Sequence, residues 1–216
     1  MRNEIINAIE ENKLIAIVRG VKKEQLVPLA EAMYEGGIRL LEVTYSADGR
    51  VSDAETAECI GMLAKHFQNR MFIGAGTVLT EEQVELTKRV GGCFIISPDT
   101  YAPVIQKTRA LGMVSIPGAL TPTEIRQAHR AGADFVKLFP VTSLGASYIK
   151  AVRAPLSNVK LLAVGGIDEN NMEEYLGAGA CGFGISSGIV NMKMLEAGDY
   201  AGITALAKKY TAVIAK

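Results

Sequence analysis

Residues 71–97 read MFIGAGTVLTEEQVELTKRVGGCFIIS, and the pattern in this stretch repeats along the chain. A short apolar run rich in β-formers is followed by Thr80, a segment of helical period, Gly91-Gly92 and a second apolar run. Threonine is typical of a helix start, and glycine is typical of the position just after a helix end. The stretch therefore predicts a strand, a helix and a second strand, the unit of a parallel sheet.

The same pattern occurs on both sides of this stretch, and Thr121 and Asp168 are two further predicted helix starts. The eight predicted strands are LIAIV from Leu14, RLLEVT from Arg39, MFIGAGTV from Met71, CFIIS from Cys93, MVSIPG from Met113, FVKLFP from Phe135, KLLAVG from Lys160 and CGFGIS from Cys181. Their starts are about 24 residues apart on average, which is room for a strand, a helix and two short loops. Eight such units predict an α/β fold, a compact (β/α)8 TIM barrel.

We expect a single domain over residues 1–216, with the polar segment MRNEIINAIEENK forming an extra N-terminal helix. A chain of 216 residues is near the lower size limit of such barrels, so the loops should be short. An open, doubly wound sheet is the alternative. That fold usually has a glycine-rich dinucleotide turn after its first strand, and residues 19–22, RGVK, are not such a turn.

The composition argues against several classes of function. Hydrophobic residues make up 49% of the chain and charged residues 21%, as expected for a globular protein with a packed core. The 23 basic and 23 acidic residues balance, so no net field favours nucleic acid or an anionic membrane surface. Three cysteines without CxxC spacing, no export signal and no membrane-spanning stretch predict a cytoplasmic protein.

Two charged residues are predicted to face the barrel interior. Because successive strand residues point to opposite faces, Lys137 shares a face with Phe135 and Phe139, and Glu42 shares one with Leu40. Burying either charge unpaired is costly, so both need a reason. Burial favours the neutral amine, which can attack a carbonyl and form an imine, so Lys137 is a candidate nucleophile. A structural ion pair between Lys137 and Glu42 is the alternative.

An anion site is predicted at the last two strands, where barrels often bind phosphate. Gly165-Gly166 follows the seventh strand, and the glycine-rich residues 182–188, GFGISSG, lie at the eighth. Glycines let the backbone amides approach an oxyanion closely. Tight turns or crowding would explain each glycine equally well, but their occurrence together favours a phosphate ligand.

Four further residues are weaker candidates for ligand binding. Arg19 ends the first strand on the inward face and could hold a carboxylate, although a solvated charge is the alternative. Thr77 could offer its hydroxyl to a ligand or bond to nearby backbone, and Pro98 and Phe139 could wall a small apolar pocket or pack in the core. No metal site is predicted, because the sequence lacks HxH and HExxH patterns.

Seven motifs, in order over residues 14–190, resemble those of a known family. They are IVRG, GGIRLLEVT, IGAGTVL, IISP, IPGALTPTE, FVKLFP and VGGI. This combination is similar to the bacterial class I aldolases of the 2-keto-3-deoxy-6-phosphogluconate (KDPG) and 4-hydroxy-2-oxoglutarate (KHG) type. The resemblance implies a metal-independent lyase that needs no cofactor, acts on a small keto acid or sugar phosphate, and is commonly a homotrimer.

The resemblance also implies roles for residues at matching positions. Lys137 matches the Schiff-base lysine, and Glu42 matches the general acid/base. The other matches are substrate-binding groups: Arg19 and Thr77 for the pyruvyl carboxylate, Pro98 and Phe139 for the pocket walls, and Gly165, Gly166 and Ser187 for the phosphate-binding loops.

Three positions depart from the family pattern. Ser46 stands where some members carry an arginine, but members that end the first strand with arginine, as Arg19 does here, use that residue instead. Val164 replaces a threonine of gluconate-type members, and similar valines occur in relatives acting on the galactonate epimer. Val164 is therefore the candidate residue for C4 specificity. Ser186 replaces the usual glycine, and it could either add a hydroxyl to the phosphate site or crowd the loop.

The expected reaction is a retro-aldol cleavage that yields pyruvate and an aldehyde. The aldehyde is glyceraldehyde 3-phosphate from KDPG and glyoxylate from KHG. Three alternatives stay open: preference for the galactonate epimer, an isomerase or lyase in which Lys137 acts without covalent attachment, and a non-catalytic protein that binds sugar phosphates.

Overall fold

The structure is a computed structural model that describes residues 2–215 as ten helices and nine strands. The strands are β1 (Leu14–Val18), β2 (Leu40–Thr44), β3 (Phe72–Gly76), β4 (Phe94–Ile96), β5 (Val114–Ile116), β6 (Gly118–Ala119), β7 (Val136–Leu138), β8 (Leu161–Val164) and β9 (Gly182–Ile185). The helices are α1 (Arg2–Asn12), α2 (Lys23–Glu35), α3 (Asp53–His66), α4 (Glu81–Arg89), α5 (Ala102–Ala110), α6 (Pro122–Ala131), α7 (Gly145–Arg153), α8 (Met172–Gly177), α9 (Met192–Glu196) and α10 (Tyr200–Ile214).

All strand pairs are parallel, and the sheet has the order β5-β4-β3-β2-β1-β9-β8-β7-β6. Its two outermost strands, β5 and β6, are separated along the chain by Pro117 alone. The edges of the sheet therefore meet, and the sheet forms a nearly closed barrel with a helix between successive strands everywhere except between β5 and β6. The predicted (β/α)8 barrel is confirmed.

One strand differs from the prediction. The run MVSIPG was expected as a single fifth strand, but the structure divides this region into β5, which pairs with β4, and β6, which pairs with β7. Pro117 lies at the break and has no N–H to donate to a neighbouring strand. The interruption thus falls where the chain changes its pairing partner.

Alternate strand residues divide the apolar side chains into two layers, as the sequence pattern predicted. The inner layer fills the barrel with the strand residues Ile15, Leu40, Phe94, Ile96, Val114, Ile116, Phe135 and Leu162. Helix α1 adds Ile5 and Ile9 to the same cluster, so the predicted N-terminal helix closes the amino end of the barrel. The outer layer packs the opposite face of the sheet against the other helices.

A buried carboxylate fastens α1 to the barrel wall. Asp134, whose side chain is 4% exposed, accepts hydrogen bonds from Arg2 of α1 and from Arg109 of α5, the latter at 2.6 Å from Nη1. Its Oδ2 also accepts the backbone N–H of Ser115 at 3.0 Å. The amino end is therefore tied together by polar contacts as well as by apolar packing.

Helix starts follow the capping signals at Thr80 and Thr121, whose side chains form capping boxes at α4 and α6. The prediction that Asp168 opens a helix is wrong, because α8 begins at Met172. Asp168 Oδ1 instead accepts the backbone N–H groups of Asn170 and Asn171, which makes a turn ahead of the helix. None of the helices within residues 2–215 is long and apolar enough to cross a membrane.

Candidate active site

A small cavity lies inside the barrel, and two charged side chains line it. Its apolar lining consists of Ile15, Ile17, Ile96, Ile116, Leu162, Val164 and Gly184. Glu42 enters this cavity from β2, and Lys137 enters it from β7. The predicted inward orientation of both residues is confirmed. The remaining lining is apolar, so it offers neither group strong solvation.

Glu42 is 1% exposed, and its carboxylate occupies space that a side chain on the neighbouring strand would otherwise fill. A Cβ at Gly76 of β3 would lie 2.3 Å from Glu42 Oε1, so a larger residue there would displace the carboxylate. Glu42 Oε2 has no hydrogen-bond partner in the described chain. Burial raises the pKa of Glu42 to about 7, against the opposing charges of Lys137 and Arg19. The carboxyl group can therefore give or take a proton near neutral pH.

Lys137 is 9% exposed, and burial lowers the pKa of its amine. The negative charge of Glu42 opposes this shift, and the positive charge of Arg19 reinforces it. The Nζ atom lies 4.8 Å from the centre of the Phe139 ring. No direct ion pair joins Lys137 to Glu42 among the contacts described for residues 2–215, which argues against a purely structural pairing. A lowered pKa increases the fraction of neutral amine, the nucleophilic form.

Arg19 and Thr77 meet at the mouth of the barrel. Arg19 Nη2 donates a hydrogen bond to Thr77 Oγ1 at 3.2 Å. The backbone of Thr77 has φ of 55°, in the left-handed region that is costly for a β-branched residue. Both residues line a cleft of about 560 Å³ that also includes Ser46. A guanidinium and a hydroxyl side by side can bind a carboxylate.

Phe139 and Pro98 occupy different positions relative to the amine. Phe139 is 38% exposed and turns its ring towards Lys137 Nζ. Pro98, which follows β4, is partly buried and lines neither the cavity nor the cleft. Its carbonyl oxygen would lie 2.2 Å from a Cβ at Gly118, so it packs closely on β6. The structure therefore places Phe139 at the amine and Pro98 against β6, the strand that pairs with β7.

The two predicted anion loops follow neighbouring strands, because β8 pairs with β9. Gly165 and Gly166 have φ of 99° and 71°, a left-handed conformation that favours glycine. Ser186 and Ser187 are exposed at the start of a tight turn after β9. In that turn the carbonyl of Ser186 accepts the N–H of Val190 at 2.8 Å. Both loops lie at the carboxyl edge of the sheet, the same edge as the cleft.

Val164 and Thr142 lie close to glycines at this edge of the sheet. Val164 is 7% exposed, lines the cavity, and would lie 3.0 Å from a Cβ at Gly184. Thr142 was missed by sequence reasoning, although its methyl group would lie 3.0 Å from a Cβ at Gly166. It follows β7 by a few residues, and a polar residue in a loop after a barrel strand is the signal that could have identified it.

The cysteines at the opposite end of the barrel have no catalytic features. Burial raises the pKa of Cys93 and of Cys181 to about 12, so both thiols are protonated at neutral pH. Each thiol donates to a carbonyl of the neighbouring strand, Cys93 to Ile73 and Cys181 to Leu161. No group of three or more potential metal ligands occurs within residues 2–215.

Comparisons with known proteins show the family to which the chain belongs. The family model described as KDPG and KHG aldolase matches residues 5–206. A protein of Rhizobium meliloti named probable 2-dehydro-3-deoxy-6-phosphogalactonate aldolase is 39% identical over 190 residues, which are 88% of this chain and 86% of that protein. A protein of Treponema pallidum named 2-dehydro-3-deoxy-phosphogluconate aldolase is 33% identical over 214 residues, or 97% of each chain.

A crystal structure of KDPG aldolase from Legionella pneumophila, with pyruvate captured as a covalent carbinolamine intermediate, superposes with a TM-score of 0.81. The two sequences are 28% identical, and the match covers 94% of this chain and 96% of that one. The chain therefore belongs to the KDPG and KHG aldolase family, as its motifs predicted.

Proposed function

We propose that this chain cleaves 2-keto-3-deoxy sugar acids, with Lys137 as the Schiff-base lysine and Glu42 as the general acid and base. The observation that carries the proposal is that both groups share one apolar cavity, where burial lowers the pKa of Lys137 and raises that of Glu42 to about 7. pKa shifts of this kind are typical of groups that exchange protons with a reacting molecule. The covalent pyruvate of the Legionella pneumophila enzyme provides a chemical precedent.

The reaction begins when the neutral amine of Lys137 attacks the C2 ketone, and loss of water leaves a protonated imine. Glu42, through a water molecule, removes the proton of the C4 hydroxyl. The C3–C4 bond then breaks, its electron pair moves towards the imine nitrogen, and an aldehyde leaves. The remaining enamine takes a proton at C3, and addition of water releases pyruvate and the free amine.

The other groups bind the ends of the substrate. Arg19 and Thr77 hold the carboxylate of the keto acid, and Phe139 and Pro98 form apolar walls near the pyruvyl carbon atoms. The opposite end, a phosphate, is bound by the backbone of Gly165 and Gly166 and by the hydroxyl of Ser187, to which Ser186 adds a second hydroxyl. The left-handed glycines and the exposed serines at one edge of the sheet support this assignment.

The preferred substrate is KDPG, which yields pyruvate and glyceraldehyde 3-phosphate, and KHG is cleaved to pyruvate and glyoxylate. The galactonate epimer is a second candidate. It is favoured by Val164 in the cavity lining and by the 39% identity to the Rhizobium meliloti protein. Comparison of kcat/KM for the two epimers distinguishes these candidates.

Borohydride reduction in the presence of pyruvate tests the covalent step. We expect a stable pyruvyl adduct that peptide mass spectrometry locates on Lys137. Lys137→Met should form none, whereas Lys160→Met, at the amino end beside Glu10, should form the adduct as the parent does. Activity without any trapped adduct would contradict the Schiff-base mechanism, and an adduct on another lysine would contradict the assignment to Lys137.

We also propose a cellular compartment and an assembly for the enzyme. It functions as a single domain in the cytoplasm, and its assembly is a homotrimer. The three cysteines, all unpaired in the structure, support a reducing compartment. Light scattering coupled to size-exclusion chromatography measures the mass of the assembly against 23.1 kDa for one chain, and a stable monomer or dimer would contradict the trimer.

A further inference from the structure

The last helix of the chain reaches the turn after β9 through one buried tyrosine. Tyr210 of α10 is 2% exposed. Its hydroxyl lies so close to Gly188 that a Cβ there would be 2.1 Å from the oxygen. Gly188 belongs to the turn that begins with Ser186 and Ser187. Glycine at this position therefore allows the phenol to reach the backbone of the turn.

The same hydroxyl also contacts the loop after β8. The Glu169 carboxylate lies beside it, and burial together with the charges of Glu169 and Asp168 raises the pKa of Tyr210 to about 12. The phenol is thus protonated and able to donate at neutral pH. Glu169 follows Gly165 and Gly166 in one continuous loop. One hydroxyl group therefore joins the two loops that we assign to the phosphate.

Helix α10 presents this hydroxyl from a fixed support. Thr204 Oγ1 donates to the carbonyl of Ala32 at 2.9 Å, and Thr211 Oγ1 donates to the carbonyl of Gly36 at 2.8 Å. Between them, the Cβ of Ala207 would lie 2.3 Å from a Cβ at Gly36, so α10 and α2 are in close contact. These contacts hold the segment of α10 that carries Tyr210 against the α2 region, which limits the movement of Tyr210 relative to the barrel.

We propose that Tyr210 is a positioning residue that sets the separation of the 165–171 loop and the 186–190 turn for binding of a phosphate group. The inference rests on the proposed function of these two loops. Tyr210 itself is buried and acts on the ligand through Gly188 and Glu169. Loss of its hydroxyl should therefore weaken phosphate binding without affecting the chemistry at Lys137.

The test compares Tyr210→Phe with Tyr148→Phe. Tyr148 is a matched control because its hydroxyl likewise makes a polar contact, a hydrogen bond to the carbonyl of Leu120 at 2.6 Å, on another side of the barrel. Inorganic phosphate is titrated by calorimetry, and KM and kcat are measured for KDPG and for KHG, which lacks a phosphate. Borohydride trapping of pyruvate on Lys137 reports separately on the proposed function. Glu169→Leu removes the carboxylate beside the Tyr210 hydroxyl from the partly exposed side, in case Tyr210→Phe fails to fold.

We expect Tyr210→Phe and Glu169→Leu to raise the Kd for phosphate and the KM for KDPG by about fivefold to tenfold, the effect of losing one buried polar contact. The kcat values, the KM for KHG and pyruvate trapping should stay within about twofold of the parent, the ordinary scatter of mutational effects. Unchanged phosphate binding in both variants, or an equal loss for KDPG and KHG, would overturn the inference. Failure of the parent to trap pyruvate would overturn the proposed function instead.

Discussion

At the amino end of the barrel the buried carboxylate of Asp134 is used by two arginines and a backbone N–H, whereas at the carboxyl end Glu42 is buried more deeply and its Oε2 is unpaired in the described chain. The amino end is also filled by Ile5 and Ile9 of α1. The carboxyl end instead has a cleft and a left-handed threonine, Thr77.

This difference separates the sources of stability and of activity. A buried group whose hydrogen bonds are satisfied stabilises the fold, and its removal leaves partners unpaired. A buried group without partners costs stability, but it is free to interact with a substrate. Variants at the amino end should therefore change the free energy of unfolding, and variants at the carboxyl end should change catalysis.

The largest effect is expected at Glu42. Glu42→Gln preserves the shape of the side chain but cannot accept a proton from the C4 hydroxyl, so kcat should fall by about 10²- to 10⁴-fold. The free energy of unfolding at pH 8 should not decrease, because the change removes an unpaired buried charge. Steady-state kinetics and urea unfolding measure the two quantities. Full activity in this variant would remove Glu42 from the mechanism.

The pH dependence of stability sharpens the same comparison. The pKa of Glu42 is raised in the folded state, so between about pH 4.5 and 7 the folded protein binds a proton that the unfolded chain releases. The stabilisation that this extra proton gives the folded state is complete below the pKa of Glu42 in the unfolded chain. It is lost as the pH rises through the pKa of Glu42 in the folded protein. The free energy of unfolding of the parent should therefore fall by up to about 3 kcal/mol relative to that of Glu42→Gln over this pH range. If the free energies of unfolding of the parent and of Glu42→Gln changed with pH in parallel, the raised pKa of Glu42 would be contradicted.

Catalysis should respond to the same titration in the opposite sense. In the proposed mechanism the deprotonated carboxylate accepts the C4 proton, so kcat/KM for cleavage should fall about tenfold per pH unit on the acidic side of the pKa of Glu42. The acidic limb of the profile for the parent should lie near pH 7. An acidic limb at the ordinary glutamate value of about 4.3 would contradict a raised pKa in the free enzyme.

A smaller effect of the opposite kind is expected at Asp134. Asp134→Asn should lower the free energy of unfolding by about 2 kcal/mol, because Arg2 and Arg109 lose their charged partner. The kcat of the folded protein should stay the same. Glu10→Gln is the control at the same end, since its ion pair with Lys160 is exposed and should contribute less than about 1 kcal/mol. An equal loss in both variants would contradict the role of the buried cluster.

The smallest effect is expected at Val164. Val164→Thr adds a hydroxyl to the cavity lining at nearly constant volume, so the ratio of kcat/KM for the gluconate and galactonate epimers should shift towards the gluconate by about fivefold to tenfold, as expected for one hydrogen bond. Kinetics with both epimers measure the ratio. An unchanged ratio would leave Val164 as a packing residue.

The barrel and the inward positions of Glu42 and Lys137 were predictable because the two-residue period of a strand fixes which residues share a face. The division of the fifth strand at Pro117 was not, since it depends on which neighbours pair with each half. Thr142 and Tyr210 were also missed. The position of Thr142 in a loop after a barrel strand is a local signal, but the contacts of the two residues with Gly166 and Gly188 join segments that are distant in sequence, and no local pattern encodes such contacts.

The glycines of β3 set a limit on redesign of the interior. Gly74 leaves its volume to the ring of Phe94, and Gly76 leaves its volume to the carboxylate of Glu42. β3 thus gives up interior space to side chains from both of its neighbours. A carboxylate introduced at position 76 would therefore require a smaller residue at position 42, and one introduced at position 74 would require a smaller residue at position 94, so moving the acid to β3 takes two coupled substitutions.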